Sequence, residues 1–235
     1  MIFRMVVENP SWGAPRIHGE LLMLGFELSE RTSSRWMKRA PRDPDRAECW
    51  LTFLRNHREA IAAMDFFTVP MITFGVLYCF FVIRHDRRRI LHINVTKHPT
   101  SGWITQQLRE AFPFAASRKY LIFDRDRKFG FEVLTAVNAI RIIPKPTSFR
   151  SPWQNGIAER WVGSCRPDLL DQIIALNERH LKRLLWEYVR YHHEDRTHLG
   201  LEKETPDGRI RSVASGPVLS EERLGGLHHR YHRAA

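Results

Sequence analysis

Cysteine is scarce in this 235-residue chain, which has only Cys49, Cys79 and Cys165 and no C-x-x-C spacing. An odd, widely spaced set excludes a disulfide framework and a structural zinc site, and points to a reducing compartment. Acidic residues are also in short supply: 26 Asp and Glu stand against 37 Lys and Arg, a net charge of +11. That balance speaks for a polyanionic partner, because neutralising phosphates releases counterions and drives nucleic-acid binding. Charge of this kind describes partners and leaves the fold open. A signal peptide is not expected, since Met1 to Val7 is too short for one and runs straight into polar sequence.

Long hydrophobic runs are nearly absent as well. Phe66 to Ile83 is uncharged and is followed by RHDRRR, which superficially resembles a membrane helix with a positive flank. Pro70, Gly75 and the abundance of Phe, Val, Ile and Thr favour two adjacent core strands instead, with Pro70 as punctuation. No membrane partner is expected. With 43% hydrophobic residues the chain is globular, and its length suits one medium domain plus a smaller module.

Residues 1–40 form the smaller module. Phe3 to Glu8 and Pro15 to Leu24 have helical patterns, the second with Ile17, Leu21 and Leu24 on one side. Gly25 breaks that helix, and Ser29 is placed to cap another running to Arg39. Helix, glycine turn and helix is the arrangement by which helix-turn-helix proteins enter the major groove. On the second helix Arg31, Ser34, Arg35 and Lys38 are the candidate DNA contacts, with Trp36 packed inward. The plain alternative is a helical hairpin that only packs. The module begins abruptly, as though a helix preceded it.

Residues 41–52, rich in Pro and charge, are expected to be a linker, and 53–206 the main domain. Strands are expected at Ala60 to Val69, Thr73 to Arg84, Ile90 to Val95, Lys119 to Phe123 and Ala139 to Ile143. Helices are expected from Pro99 through Ala111, near Phe131 to Asn138, and at Asn177 to His192. The last of these carries a core stripe of Leu181, Leu184, Leu185, Tyr188 and Tyr191. Residues 207–235 are read as a basic flexible tail. Its His228, His229 and His232 are set down to solvation rather than to metal binding.

Three acids stand in distinctive frames: Asp65 in IAAMDFFTVP, Asp124 in YLIFDRDRKF and Glu159 in SPWQNGIAERW. The first two end apolar, β-prone runs and the third opens a helical pattern. Carboxylates delivered in this way can hold two divalent cations for in-line phosphoryl chemistry, and their oxygens suit Mg²⁺ or Mn²⁺. Asp126 competes with Asp124, because residues two apart share a strand face. Along the helix, Asn155 lies one turn before Glu159 and Arg166 two turns after it, on the same side. Asn155 is a candidate to touch DNA, to orient Glu159, or simply to cap the helix.

At these residues the chain resembles the integrase catalytic core shared by retroviral integrases and bacterial insertion-sequence transposases. The frame S-P-x-x-N-G-x-A-E-R around Glu159 is its most specific piece. The resemblance implies an α/β, ribonuclease H-like fold: a mixed five-stranded sheet flanked by helices, here preceded by the helix-turn-helix module. It implies Asp65, Asp124 and Glu159 as catalytic carboxylates holding two Mg²⁺ or Mn²⁺ ions. Asp124 is favoured over Asp126 because the family acid stands five residues before an aromatic, here Phe129. Arg166 matches a family arginine that grips DNA phosphate. Arg196 and His198 match a late R-x-H pattern, with either phosphate contact or packing open to them. DNA integration follows, with mobile-element ends and target DNA as partners, homo-oligomers on DNA, and a cytoplasmic, nucleoid-associated location. A metal-dependent nuclease and a DNA-binding protein with an inactive core are the alternatives. Two departures favour the latter: Pro167, expected to kink or shorten the helix, and Arg127, where the family commonly has glycine.

Overall fold

Gly25 takes the left-handed conformation, at φ 80°. The computed structural model describes all residues except 10–11, 40–43, 114–117, 150 and 235. It divides the chain into two units, Met1–Asn56 and His57–Ala235. The first unit holds helices α1 (Ile2–Glu8), α2 (Ala14–Met23), α3 (Glu30–Arg39) and α4 (Pro44–Asn56). After α2, Phe26 N–H donates to the Leu21 carbonyl (2.9 Å) and Gly25 N–H to that of Leu22 (3.0 Å). This pair of bonds closes a helix end when glycine takes the left-handed conformation. Ser29 then opens α3, its hydroxyl accepting from Thr32 N–H at 3.2 Å.

Two expectations about this unit fail. Trp36 is 42% exposed rather than packed inward; it lies beside Phe3, ring centres 5.8 Å apart, under Arg39. Ile17, Leu21 and the small Ser33 fill the interior instead. The linker expected over 41–52 is helical from Pro44 onward. Proline fits a first helical turn, and Glu48, Leu51, Leu54 and Arg55 are good helix formers. Residues 41–43 lie outside the described residues.

The second unit contains β1 (Ile61–Pro70), β2 (Val76–Arg84), β3 (Ile90–Thr96), α5 (Ser101–Ala111), β4 (Tyr120–Phe123), α6 (Phe131–Ala139), β5 (Ile143–Pro146), α7 (Gly156–Asp168) and α8 (Glu178–Glu194). The sheet order is β3-β2-β1-β4-β5. β1 pairs antiparallel with β2, β2 antiparallel with β3, and β1–β4 and β4–β5 are parallel. This is the expected mixed five-stranded sheet. Thr100, not Pro99, starts α5: its hydroxyl accepts Trp103 N–H. β5 begins later than expected because α6 runs to Ala139 and the chain turns at Arg141, φ 60°.

Alternation along β1 sends successive side chains to opposite faces. Met64, Phe80 and Phe123 pack with Ile104, Leu108 and Val133 of α5 and α6. On the other face Phe67 and Phe81 meet Trp161 of α7, ring centres 5.8 and 4.4 Å away. Asp65 shares the parity of Phe67 and therefore belongs to the α7 face. Leu181, Leu185 and Tyr188 of α8 are buried, with Leu184 and Tyr191 half-buried, so the stripe is core.

Residues 207–235 are not a loose tail. They include an antiparallel hairpin, β6 (Val218–Arg223) and β7 (His228–Arg233). Asp195, just past α8, has a side chain only 2% exposed; Arg223 Nε donates to it at 2.7 Å. Arg230 approaches its other oxygen at 3.1 Å, outside hydrogen-bond geometry. His228 stacks on Tyr191 at 4.7 Å and shares a 2.8 Å hydrogen bond with the Asp168 carbonyl. The basic residues that suggested a solvated tail are thus partly spent on buried acceptors of the core. Asp195→Asn is expected to lower stability by about 1–3 kcal/mol in urea unfolding and to expose the hairpin to limited proteolysis. Unchanged cleavage would show that the ion pairs do not hold it.

Candidate active site

The three-residue ladder between β1 and β4 decides where the acids stand. Ile61 pairs with Tyr120, Ala62 with Leu121 and Ala63 with Ile122. The same offset of 59 sets Asp65 level with Asp124, two residues past the last pair. Adjacent strands run about 4.8 Å apart, and the C-terminal ends of parallel strands are where α/β sheets place their sites. β4 stops at Phe123 while β1 continues to Pro70. The uncovered edge of β1 opens a cleft of about 540 Å³, whose lining includes Asp65, Asp126, Lys128, Glu159 and Arg166.

α7 supplies the opposite wall. Glu159, Gly163 and Arg166 recur at helical spacing along the cleft, and both Glu159 and Arg166 are exposed. Asn155 is 2% exposed, and its Nδ2 donates to the Met64 carbonyl at 3.3 Å. It neither reaches solvent to touch DNA nor caps the helix through its side chain. Its contact ties the start of α7 to β1 one residue from Asp65. Pro167 falls in the last turn of α7, which ends one residue later, leaving the Glu159–Arg166 span helical.

Burial comes first in setting the Asp65 carboxyl. Phe66 N–H, 2.7 Å from Oδ1, opposes it in part, and the charges of Asp124, Glu159 and Asp126 add to it; the result is about 7. Asp124 is half-buried and also raised, by burial first; the Asp126 N–H opposes this and the Asp126 charge adds to it. For Asp126 burial acts upward too, but Lys128 outweighs it and holds the carboxyl low, its Nζ 2.5 Å away. Lys128 also lies over the rings of Phe66 and Tyr78, at 5.7 and 5.6 Å. Sequence reasoning missed Lys128 and Tyr78. The Lys128 signal was its place two residues after Asp126, whose carboxylate accepts its N–H at 3.0 Å. Asp124 does not line the cleft as Asp126 does, yet it is Asp124 that the ladder places level with Asp65.

An all-carboxylate donor set under mutual repulsion suits a hard divalent cation. Among the described residues, however, no three His, Cys, Asp or Glu side chains converge at metal-holding distance. The donors fit chemically, and a shared ion requires their side chains to close.

The other candidates lie elsewhere. Arg31 and Arg35 are exposed on α3 and Ser34 is half-buried; the Lys38 side chain lies outside the described ones. Arg196 is committed to the fold, its Nε donating to Asp168 at 2.8 Å. His198 is 6% exposed.

Residues 140–206 match the family model of the integrase core domain. That match covers under a third of the chain. That stretch contains Glu159 but neither Asp65 nor Asp124. The fold is similar to a chain of the simian T-cell lymphotropic virus intasome in complex with PP2A regulatory subunit B56 gamma: TM-score 0.52, 15% identity, 74% of this chain and 66% of that one. It is similar to the catalytic domain of Mos1 mariner transposase, at TM-score 0.51 and 13% identity over 70% and 84% of the two chains. The HTLV-2 integrase catalytic core domain in complex with magnesium gives 0.48 and 13% over 63% and 93%. No curated protein matches the chain by sequence. The five-stranded unit has the ribonuclease H-like fold of the first two of these structures, and no helix among the described residues is long and apolar enough to cross a membrane.

With Asp65 raised from 3.8 to about 7, the folded core holds a proton that the unfolded chain releases between those values. Its contribution to stability is therefore full below about pH 4 and lost as pH rises through 7, by about 4 kcal/mol. Asp65→Asn should flatten that slope in urea unfolding followed from pH 4.5 to 8. Parallel curves for variant and wild type would refute the assignment.

Proposed function

We propose that this protein is a DNA transposase or integrase that cleaves mobile-element ends and joins them to target DNA. The observation that supports this best is the β1–β4 register, whose offset extended by two residues sets Asp65 within β1 level with Asp124 just past β4, with Glu159 lining the same cleft as Asp65. Asp65, Asp124 and Glu159 would hold Mg²⁺ or Mn²⁺. Bound ions of this kind activate an attacking oxygen and stabilise the leaving one.

The remaining roles belong to the chain's own side chains. Arg166, on the wall of Glu159, offers a guanidinium to the phosphate flanking the scissile bond. Lys128 offers a second positive charge at the cleft, once released from Asp126. Asn155 positions rather than binds: by fixing α7 on Met64 it sets the reach of Glu159. In the metal-free protein Asp65 carries its proton on Oδ2, since Oδ1 accepts the Phe66 N–H. The exposed Arg31 and Arg35 of α3 bind element-end DNA, joined by Ser34 and Lys38. Two copies on paired ends would suit the joining of both, and a +11 chain suits DNA as the partner.

A second reading, a DNA-binding protein with a silent core, is favoured by the Lys128–Asp126 pair and by the acids' failure to converge in the structure. Labelled element-end DNA with Mg²⁺ or Mn²⁺ separates the possibilities: joined products mark a transposase, cuts alone a nuclease, retention alone a binder. Asp65→Asn, Asp124→Asn and Glu159→Gln should each abolish joining while leaving DNA retention within about twofold. Full joining by any of them would remove that residue from the set. At pH 8, Mg²⁺ should raise the Tm of the wild type but not of Asp65→Asn, a readout independent of activity.

A further inference from the structure

α7 has a second working face. Arg160 and Ser164 point away from the acidic cleft and line a separate cavity of about 360 Å³. Arg88 of the β2–β3 turn, His192 near the end of α8, and Arg196 and His198 just beyond it also line it, beside an apolar wall that includes Ile83, Trp161 and Leu199. Of its three guanidinium groups, only Arg196 has a carboxylate partner among the described residues. Arg88 is half-buried, and its pKa is pulled down by burial, then by Arg160 and Arg58. Like charges gathered without a counter-charge leave room for an anion.

Two further features concern the same cavity. Arg88 has φ 58°, a left-handed conformation in a turn that glycine would normally take. Strain of this sort persists where surroundings impose it, and it concentrates at functional sites. The side chain lies against Gly200, where any Cβ would collide with the guanidinium. His192 and His198, 2% and 6% exposed, have ring centres 4.5 Å apart. His192 Nδ1 and His198 Nε2 are buried with no hydrogen-bond partner. Buried polar atoms are rarely left so.

We infer that this cavity is a phosphate-binding site, with Arg88 and Arg160 as its charged ligands and His192 and His198 as hydrogen-bond partners. Guanidinium forks match phosphate oxygens in pairs. Where the phosphate belongs to DNA, the inference rests on the reading above, and α7 then meets the duplex on two faces; the anion site itself does not depend on it.

The test uses the full chain in EDTA, so the metal-dependent chemistry of the acidic cleft plays no part in its outcome. Duplex DNA affinity is measured by anisotropy against salt, and Tm against inorganic phosphate, for wild type, Arg88→Gly and Arg160→Gln. Glycine suits φ 58°, so Arg88→Gly should fold at least as well as wild type while binding about tenfold more weakly. Each variant should also lower the salt slope by about 0.9, one phosphate contact. Loss of the phosphate-induced Tm rise in the variants, with DNA affinity kept, would assign the site to a free anion. Loss of DNA affinity with no phosphate effect would assign it to the polymer. Wild-type DNA affinity, salt slope and phosphate response in both variants would overturn the inference.

Discussion

Everything at the acidic cleft depends on a short parallel ladder that starts in register and then stops. Three backbone pairs fix β4 against β1, and that offset carries Asp124 to the level of Asp65. Because β4 ends there and β1 does not, the chain leaves a strand edge uncovered beside the acids. A longer β4 would have closed the cleft with its own backbone hydrogen bonds. A ladder slipped by one residue would have sent Asp124 to the α5–α6 face, since side-chain direction alternates with every residue.

The site is acidic within a strongly basic protein, and the two characters are kept apart by packing. Asp65 is held in a partly buried setting where the charges of Asp124, Glu159 and Asp126 act through protein rather than water. Lys128 and Arg166 line the same cleft, Lys128 paired with Asp126 and not with Asp65. Asn155 gives this arrangement its rigidity from an unexpected quarter, a buried amide on the Met64 carbonyl. Positioning of this kind is what phosphoryl-transfer sites need, because their catalysis lies in geometry and charge.

The far end of the core uses charge differently. Asp168 accepts from Tyr188 Oη and Arg196 Nε, and Asp195 from Arg223. The Asp195 carboxylate, with the Asp168 carbonyl that meets His228, turns sequence that looks like a solvated basic tail into an anchored hairpin. Arg88 and Arg160 are left without such partners among the described residues, so α7 separates an acid-lined wall from a base-lined one.

Hydrophobic period and end signals in the sequence were sufficient for β1 to β4, for α5 to α8, and for the glycine turn between α2 and α3, because those patterns are local and repeat over several residues. The frames around Asp65, Asp124 and Glu159 likewise marked the candidate acids before any pairing was known. Only the tertiary structure decided that Asn155 turns inward, that Arg196 serves Asp168, that Trp36 stays exposed, that Lys128 joins the cleft, and that residues 218–233 fold back as a hairpin. Apart from the local Lys128–Asp126 pair, these outcomes rest on partners far away in the chain, and a side chain's own neighbours in sequence carry no record of which distant carbonyl, carboxylate or ring it will meet.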